Sequence, residues 1–250
     1  MTGKQITLVD DQDWPSAGFS FELTIRPESC ALGVIDVQHY ALDSDGDLAH
    51  TLRLNSTSVF QEFSRQAERM VSNIQRLLSA FREQHRQVVY TRHGAFLPGG
   101  PDLIVRRRGR EEVALSSGDC SSGHMAVRGD SGHEILDQVG PRRGELVLDK
   151  NTSSAFHSSP MDLLLRNMKV QTLVLTGLAT DQCVLATAID AADRGFHVIL
   201  AADACAGFDA GSAEAVQILF GRVWGYVMQT DDIIRWLQTG DKPSRTRLSA

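Results

Sequence analysis

Apolar residues come in short runs, separated by longer stretches with helical spacing. Residues 31–37 (ALGVIDV) form a nearly unbroken apolar run that ends beside a carboxylate, the pattern of a parallel strand buried on both faces. Farther on, Val59, Phe63, Ala67, Met70, Ile74, Leu77 and Phe81 recur every three or four residues. That spacing predicts an amphipathic helix, with Ser56 or Ser58 as its N-cap. Residues 87–91 (QVVYT) read as a second strand. The following segment, 92–143, is glycine-rich and nearly aperiodic apart from a predicted helix over 133–139. A stretch this irregular marks a functional loop bordering a site.

From residue 145 the alternation is regular. Strands are expected at 145–149, 172–176, 197–202 and 222–227, with helices at 160–167, 181–194, 213–220 and 231–237. Ser159 before Pro160, and Thr230 before Asp231, are residue types that begin helices. Repeated strand–helix units predict an α/β fold, with an open six-stranded parallel sheet and helices on both faces. The expected organisation is an N-terminal extension over 1–29, one domain over 30–238 and a C-terminal tail over 239–250.

Composition changes this picture little. The chain has 250 residues, 42% of them hydrophobic and 22% charged, which suits an ordinary globular domain. A net charge of −6 argues against a nucleic-acid surface, since phosphate contacts need clustered basic residues. The one basic run, Arg106, Arg107, Arg108 and Arg110, is followed at once by Glu111 and Glu112 and reads as a solvated loop, with a lid or subunit contact as the alternative. No apolar run approaches the roughly 20 residues of a membrane helix. Residues 1–15 do not read as a secretory signal, and four scattered cysteines do not form a disulfide framework, so the expected compartment is the cytosol.

In open α/β sheets the ligand crevice lies beyond the carboxyl ends of the strands. Asp36 ends the first predicted strand, Lys150 follows the third, and Cys183 lies in the opening turn after the fourth. A thiol at a helix start beside an ammonium should lose its proton more readily than usual, and a carboxylate beside it can take that proton and return it to a leaving amine. Taken singly, each has another reading: a capping aspartate, a surface lysine, a core cysteine.

Motifs decide between these readings. The run 176–184 (TGLATDQCV), continuing through Thr187, Asp190 and Ala191, resembles the nucleophile motif of the isochorismatase-like cysteine hydrolases. Val34, Ile35, Asp36, Val37 and Gln38 resemble that family's aspartate strand, and Lys150 with Ser154, Ala155 and Phe156 its lysine segment. The resemblance implies a three-layer Rossmann-like fold, an Asp36–Lys150–Cys183 triad and a thioester intermediate. It also implies an oxyanion hole from the backbone N–H groups of Ala179 and Cys183, and a non-proline cis peptide at Leu178–Ala179.

Within that family the features favour a small linear amide of carbamoyl or ureido type, cleaved with release of ammonia. Vinyl ether hydrolysis of isochorismatase type and a nicotinamidase-like activity are the alternatives. Nicotinamidases resemble this chain less after the second strand, where residues 91–96 (TRHGAF) offer one histidine, so neither a metal nor another cofactor is expected. Gln38, Tyr40, His93, Thr180 and Phe220 are the candidate substrate contacts, although biuret-type relatives carry glutamine near the position of Phe220. His39, His124, His133, His157 and His197 show no ligand spacing, and Cys30, Cys120 and Cys205 read as inert thiols. The family implies a homodimer or homotetramer.

Overall fold

The computed structural model describes residues 23–43, 46, 48–49, 52–53, 56–108 and 126–241. The expectations for residues 1–22, for Arg110, Glu111, Glu112, Cys120 and His124, and for the tail from 242 lie outside the described residues. Six strands form one parallel sheet: β1 (Cys30–Ile35), β2 (Gln87–His93), β3 (Leu146–Lys150), β4 (Thr172–Leu178), β5 (His197–Ala206) and β6 (Tyr226–Met228). Their spatial order is β3-β2-β1-β4-β5-β6.

Alternation along the strands feeds two separate apolar layers. Leu32 and Val34 of β1, Val174 of β4 and Ile199 of β5 face one cluster; Ala31, Ile35, Leu173, Leu175, Val198 and Leu200 face the other. Burial on both faces is why these strands read as continuous apolar runs. The first cluster is closed by α2 (Thr57–Glu83) and α7 (Thr230–Thr239), through Met70, Ile74, Leu77 and Phe81 of α2 and Ile233 and Trp236 of α7. The second is closed by α4 (Met161–Asn167), α5 (Leu185–Asp193) and α6 (Ala210–Val223). Two short helices, α1 (His39–Leu42) and α3 (Ala155–Ser158), lie close after β1 and β3.

The long helix begins where its spacing predicts: Ser56 Oγ accepts the Val59 N–H at 3.4 Å. Other boundaries differ for local reasons. The expected helix over 133–139 is two single turns, Ser131–His133 and Asp137–Val139. Between them the backbone forms an isolated antiparallel bridge, Gln38 to Ile135, with the segment after β1, the Leu136 N–H donating to Val37 O and the His39 N–H to Glu134 O. The last strand is three residues long because α6 runs on through Val223, claiming Arg222, which the sequence pattern assigns to the strand. The helix expected from 181 starts as a wide π turn, Thr180–Val184, with the Val184 N–H reaching back to Ala179 O, and becomes α-helical at Leu185.

Candidate active site

The strand order reverses between β1 and β4, and the crevice of such a sheet opens at that point beyond the carboxyl ends. Asp36 directly follows β1, Cys183 lies in the wide turn just after β4, and Lys150 closes β3 two strands away. Lys150 Nζ stands 2.7 Å from Asp36 Oδ2, with the lysine side chain 0% and the aspartate 3% exposed. Lys150 also donates to Thr152 O at 3.0 Å.

Asp36 is held in left-handed backbone, φ 53°, which a non-glycine residue adopts only when its surroundings enforce it. Thr91 at the end of β2 does so. Its Oγ1 donates to Asp36 Oδ1 at 2.6 Å, and its Oγ1 and carbonyl oxygen both face the Asp36 N–H. Sequence reading placed Thr91 in a strand and gave it no part in the site. The register Ile35↔Thr91 is the information it lacked.

Cys183 is 4% exposed. Burial pushes its thiol up to about 11; Lys150 opposes that, and the negative charge of Asp36 reinforces it. The lowered value expected at a helix start is therefore corrected. Desolvation of a thiolate outweighs the neighbouring ammonium, because the site excludes water.

Backbone geometry around the sulfur follows the motif glycine. Gly177 has φ 111°, and a Cβ there would stand 2.1 Å from Ile35 O, so only glycine lets β4 pass β1 at this point. The peptide Leu178–Ala179 is cis, at the position the resemblance implies. Other motif residues tie the lysine segment to the helix after the sulfur. Ser154 Oγ donates to Asp190 Oδ2 at 2.6 Å, and the Ala155 N–H donates to Thr187 Oγ1 at 3.2 Å.

The candidate substrate contacts separate into three groups. His93 and Thr180 lie in the crevice. Both ring nitrogens of His93, Thr180 Oγ1 and Asp181 Oδ1 are buried without a hydrogen-bond partner. Burial and then the nearby Lys150 hold His93 well below 6.5, so it is neutral at neutral pH. Gln38 instead spends both amide hydrogens on His93 O and His133 O, and its oxygen accepts the His93 N–H at 2.7 Å. It braces the walls of the crevice and has no donor left for a substrate. Tyr40 is half-buried in α1 against the first apolar cluster, beside Gly132.

Phe220 is 0% exposed in the second apolar layer, the cluster that also holds Cys183, with its ring stacked on Trp224 and Gly225 against its edge.

Two further residues join the crevice unannounced. His133 is fully buried with both ring nitrogens unpartnered, its ring against Gly94, where a Cβ would come within 2.6 Å of it. Arg107, from the basic run, donates to Gln182 Oε1 at 3.0 Å. Neither has a motif spacing that would reveal it; both arrive through loop packing.

The model of the isochorismatase domain matches residues 30–232. The chain belongs to the isochorismatase family. It is 27% identical over 238 residues to a ureidoacrylate amidohydrolase, RutB, of Variovorax paradoxus, covering 88% of this chain and 89% of that one. Among solved structures it resembles an N-carbamoylsarcosine amidase from Thermoplasma acidophilum, at 27% identity and TM-score 0.59, covering 81% of this chain and 97% of that one. A cysteine hydrolase from Pseudomonas syringae pv. phaseolicola shares the fold at TM-score 0.70 and 24% identity, over 88% of this chain and 97% of that one. The six-stranded parallel sheet with helices on both faces is thus the three-layer fold of these hydrolases. Among the described residues no helix is long and apolar enough to cross a membrane.

Proposed function

We propose that this family member is a cysteine-dependent amidohydrolase that cleaves the C–N bond of a small linear carbamoyl or ureido compound and releases ammonia. Membership of the family and likeness to relatives named as ureidoacrylate and carbamoylsarcosine hydrolases support action on a non-peptide C–N bond. The observation that carries the chemical reading is the water-excluded Asp36–Lys150 pair, both of whose charges act on the buried Cys183 thiol.

With the thiol pushed up to about 11, the resting nucleophile is protonated at neutral pH. Its proton passes to Asp36 as the sulfur attacks the carbonyl carbon, while Lys150 holds the carboxylate in place. The oxyanion forms against the backbone N–H groups of Ala179 and Cys183. Asp36 then gives the proton to the departing nitrogen, ammonia leaves, and a thioester remains. Water attacks the thioester with Asp36 as base, which restores the thiol and frees the acid. The reading includes a homodimer or homotetramer as the working assembly.

The test is an ammonia-release screen over ureido acids, biuret and nicotinamide, run with wild type and with Cys183→Ser and Cys183→Ala. Turnover of a ureido compound should fall by a factor on the order of 10⁴ or more in both variants, with the thermal transition little changed. A variant that keeps most of the activity refutes the nucleophile. Loss of a vinyl ether substrate without ammonia release would place the chain with the ether hydrolases instead.

A further inference from the structure

The basic run has a member that the triad chemistry does not use. Arg107 sits on a short helical turn over 105–108, half-buried, between solvent and the crevice. One guanidinium nitrogen is fixed by Gln182, the residue before Cys183 in the chain. Its Nε is buried and has no hydrogen-bond partner. A buried guanidinium N–H without an acceptor is costly, and an acceptor on a ligand removes the cost. The positive charge acts on both Cys183 and His93.

Its neighbour differs. Arg106 reaches Ser153 beyond the lysine and is more exposed. Arg107 has one guanidinium nitrogen committed to the nucleophile turn and a buried Nε without an acceptor, an arrangement suited to a carboxylate.

We propose that Arg107 is the specificity-determining residue for an anionic substrate, binding a carboxylate on the part of the molecule that stays bound while Cys183 attacks the amide. This deepens the reading above and rests on it: the substrate is a carbamoyl or ureido acid, and the neutral amide of the same skeleton is a poor substrate. The crevice then has two polar ends. Arg107 takes the acid, and neutral His93 with Thr180 meets the uncharged ureido group.

Two measurements on wild type, Arg107→Met and Arg107→Lys test it. The first compares kcat/KM for 3-ureidopropionate with that for 3-ureidopropionamide. Arg107→Met should lose about 30- to 100-fold on the acid, mostly through KM, and change little on the neutral amide; Arg107→Lys should recover part of the loss. The second needs no substrate: the rate of Cys183 alkylation by iodoacetate divided by that for iodoacetamide, each normalised to glutathione. Wild type should favour the anionic reagent, and Arg107→Met should lose the preference, its iodoacetate rate falling by more than its iodoacetamide rate. Equal losses on acid and amide, or an iodoacetate preference that survives in Arg107→Met, overturn the assignment. If neither ureido compound is hydrolysed yet the alkylation preference disappears with Arg107, the anion site stands and the amidase reading fails on these substrates. If both are hydrolysed equally well by wild type and Arg107→Met, the amidase reading stands and the anion site fails.

Discussion

One strand, β3, carries an ion pair at each end, and the two are built differently. Just before it, Glu145 meets Arg82 of α2 through two hydrogen bonds of 2.8 Å each, and the same guanidinium also donates to Tyr90 Oη and Gly140 O. At its last residue, Lys150 meets Asp36 through a single 2.7 Å contact, with both side chains sealed from water. The first pair lies partly open to solvent and has its donors spent on protein. The second is drier and less saturated, and both of its charges act on the Cys183 thiol. A pair that only joins a helix to a sheet benefits from full satisfaction, whereas the proton transfer proposed for the second pair requires capacity in reserve.

The sharpest way to break this contrast is to neutralise each pair. Lys150→Met should cut turnover by roughly 10³-fold or more, as loss of a residue acting in one unit with the nucleophile. It should also cost about 3 kcal/mol in urea unfolding, because a buried carboxylate is left without its partner. The double variant Asp36→Asn/Lys150→Met should be equally inactive yet more stable than Lys150→Met alone, since no buried charge remains. A double variant less stable than the single one would mean that the pair is structural in the same sense as Arg82–Glu145.

Thr91→Val is a gentler probe. It removes the hydroxyl that fixes Asp36 Oδ1 and faces its N–H. Turnover should drop about tenfold and stability by about 1–2 kcal/mol. Unchanged turnover would show that the left-handed aspartate holds itself in place.

Arg82→Met completes the series with the smallest effect on catalysis. Activity should stay within about twofold, while stability falls by about 2 kcal/mol. Burial acts to raise the Glu145 carboxyl, but the Arg82 hydrogen bond and the Arg142 N–H outweigh it and hold the group below its ordinary 4.5. A lowered folded value means that the stabilisation is present above pH 4.5 and is lost as pH falls below it. Wild type and Arg82→Met should therefore differ in melting temperature at pH 7 and converge progressively as the pH falls below 4.5.

Legibility followed the range of the forces involved. The α2 stripe, its Ser56 cap and the β1 run were readable because periodicity and capping act within a few residues. Asp36, Lys150 and Cys183 were readable as residues, through their place after strands and through motif likeness. Their electrostatics were not: the thiol was expected to be lowered and is pushed up, because desolvation depends on how completely the surrounding chain excludes water. Phe220 shows a limit of packing: its stacking on Trp224 and the closeness of Gly225 depend on how α6 turns into β6, which no local pattern gives.

The order of residues alone determined the alternation of strands and helices, the glycine at 177 and the identity of the acid, base and sulfur, all of which act locally or through a short motif. The tertiary structure decided which of these meet. It joined Thr91 to Asp36 across a strand pair, turned Gln38 into a brace, sank Phe220 into the core and brought His133 and Arg107 to the crevice. Those contacts link residues 55 to 95 positions apart, or come through loop packing, where no periodicity constrains the partner.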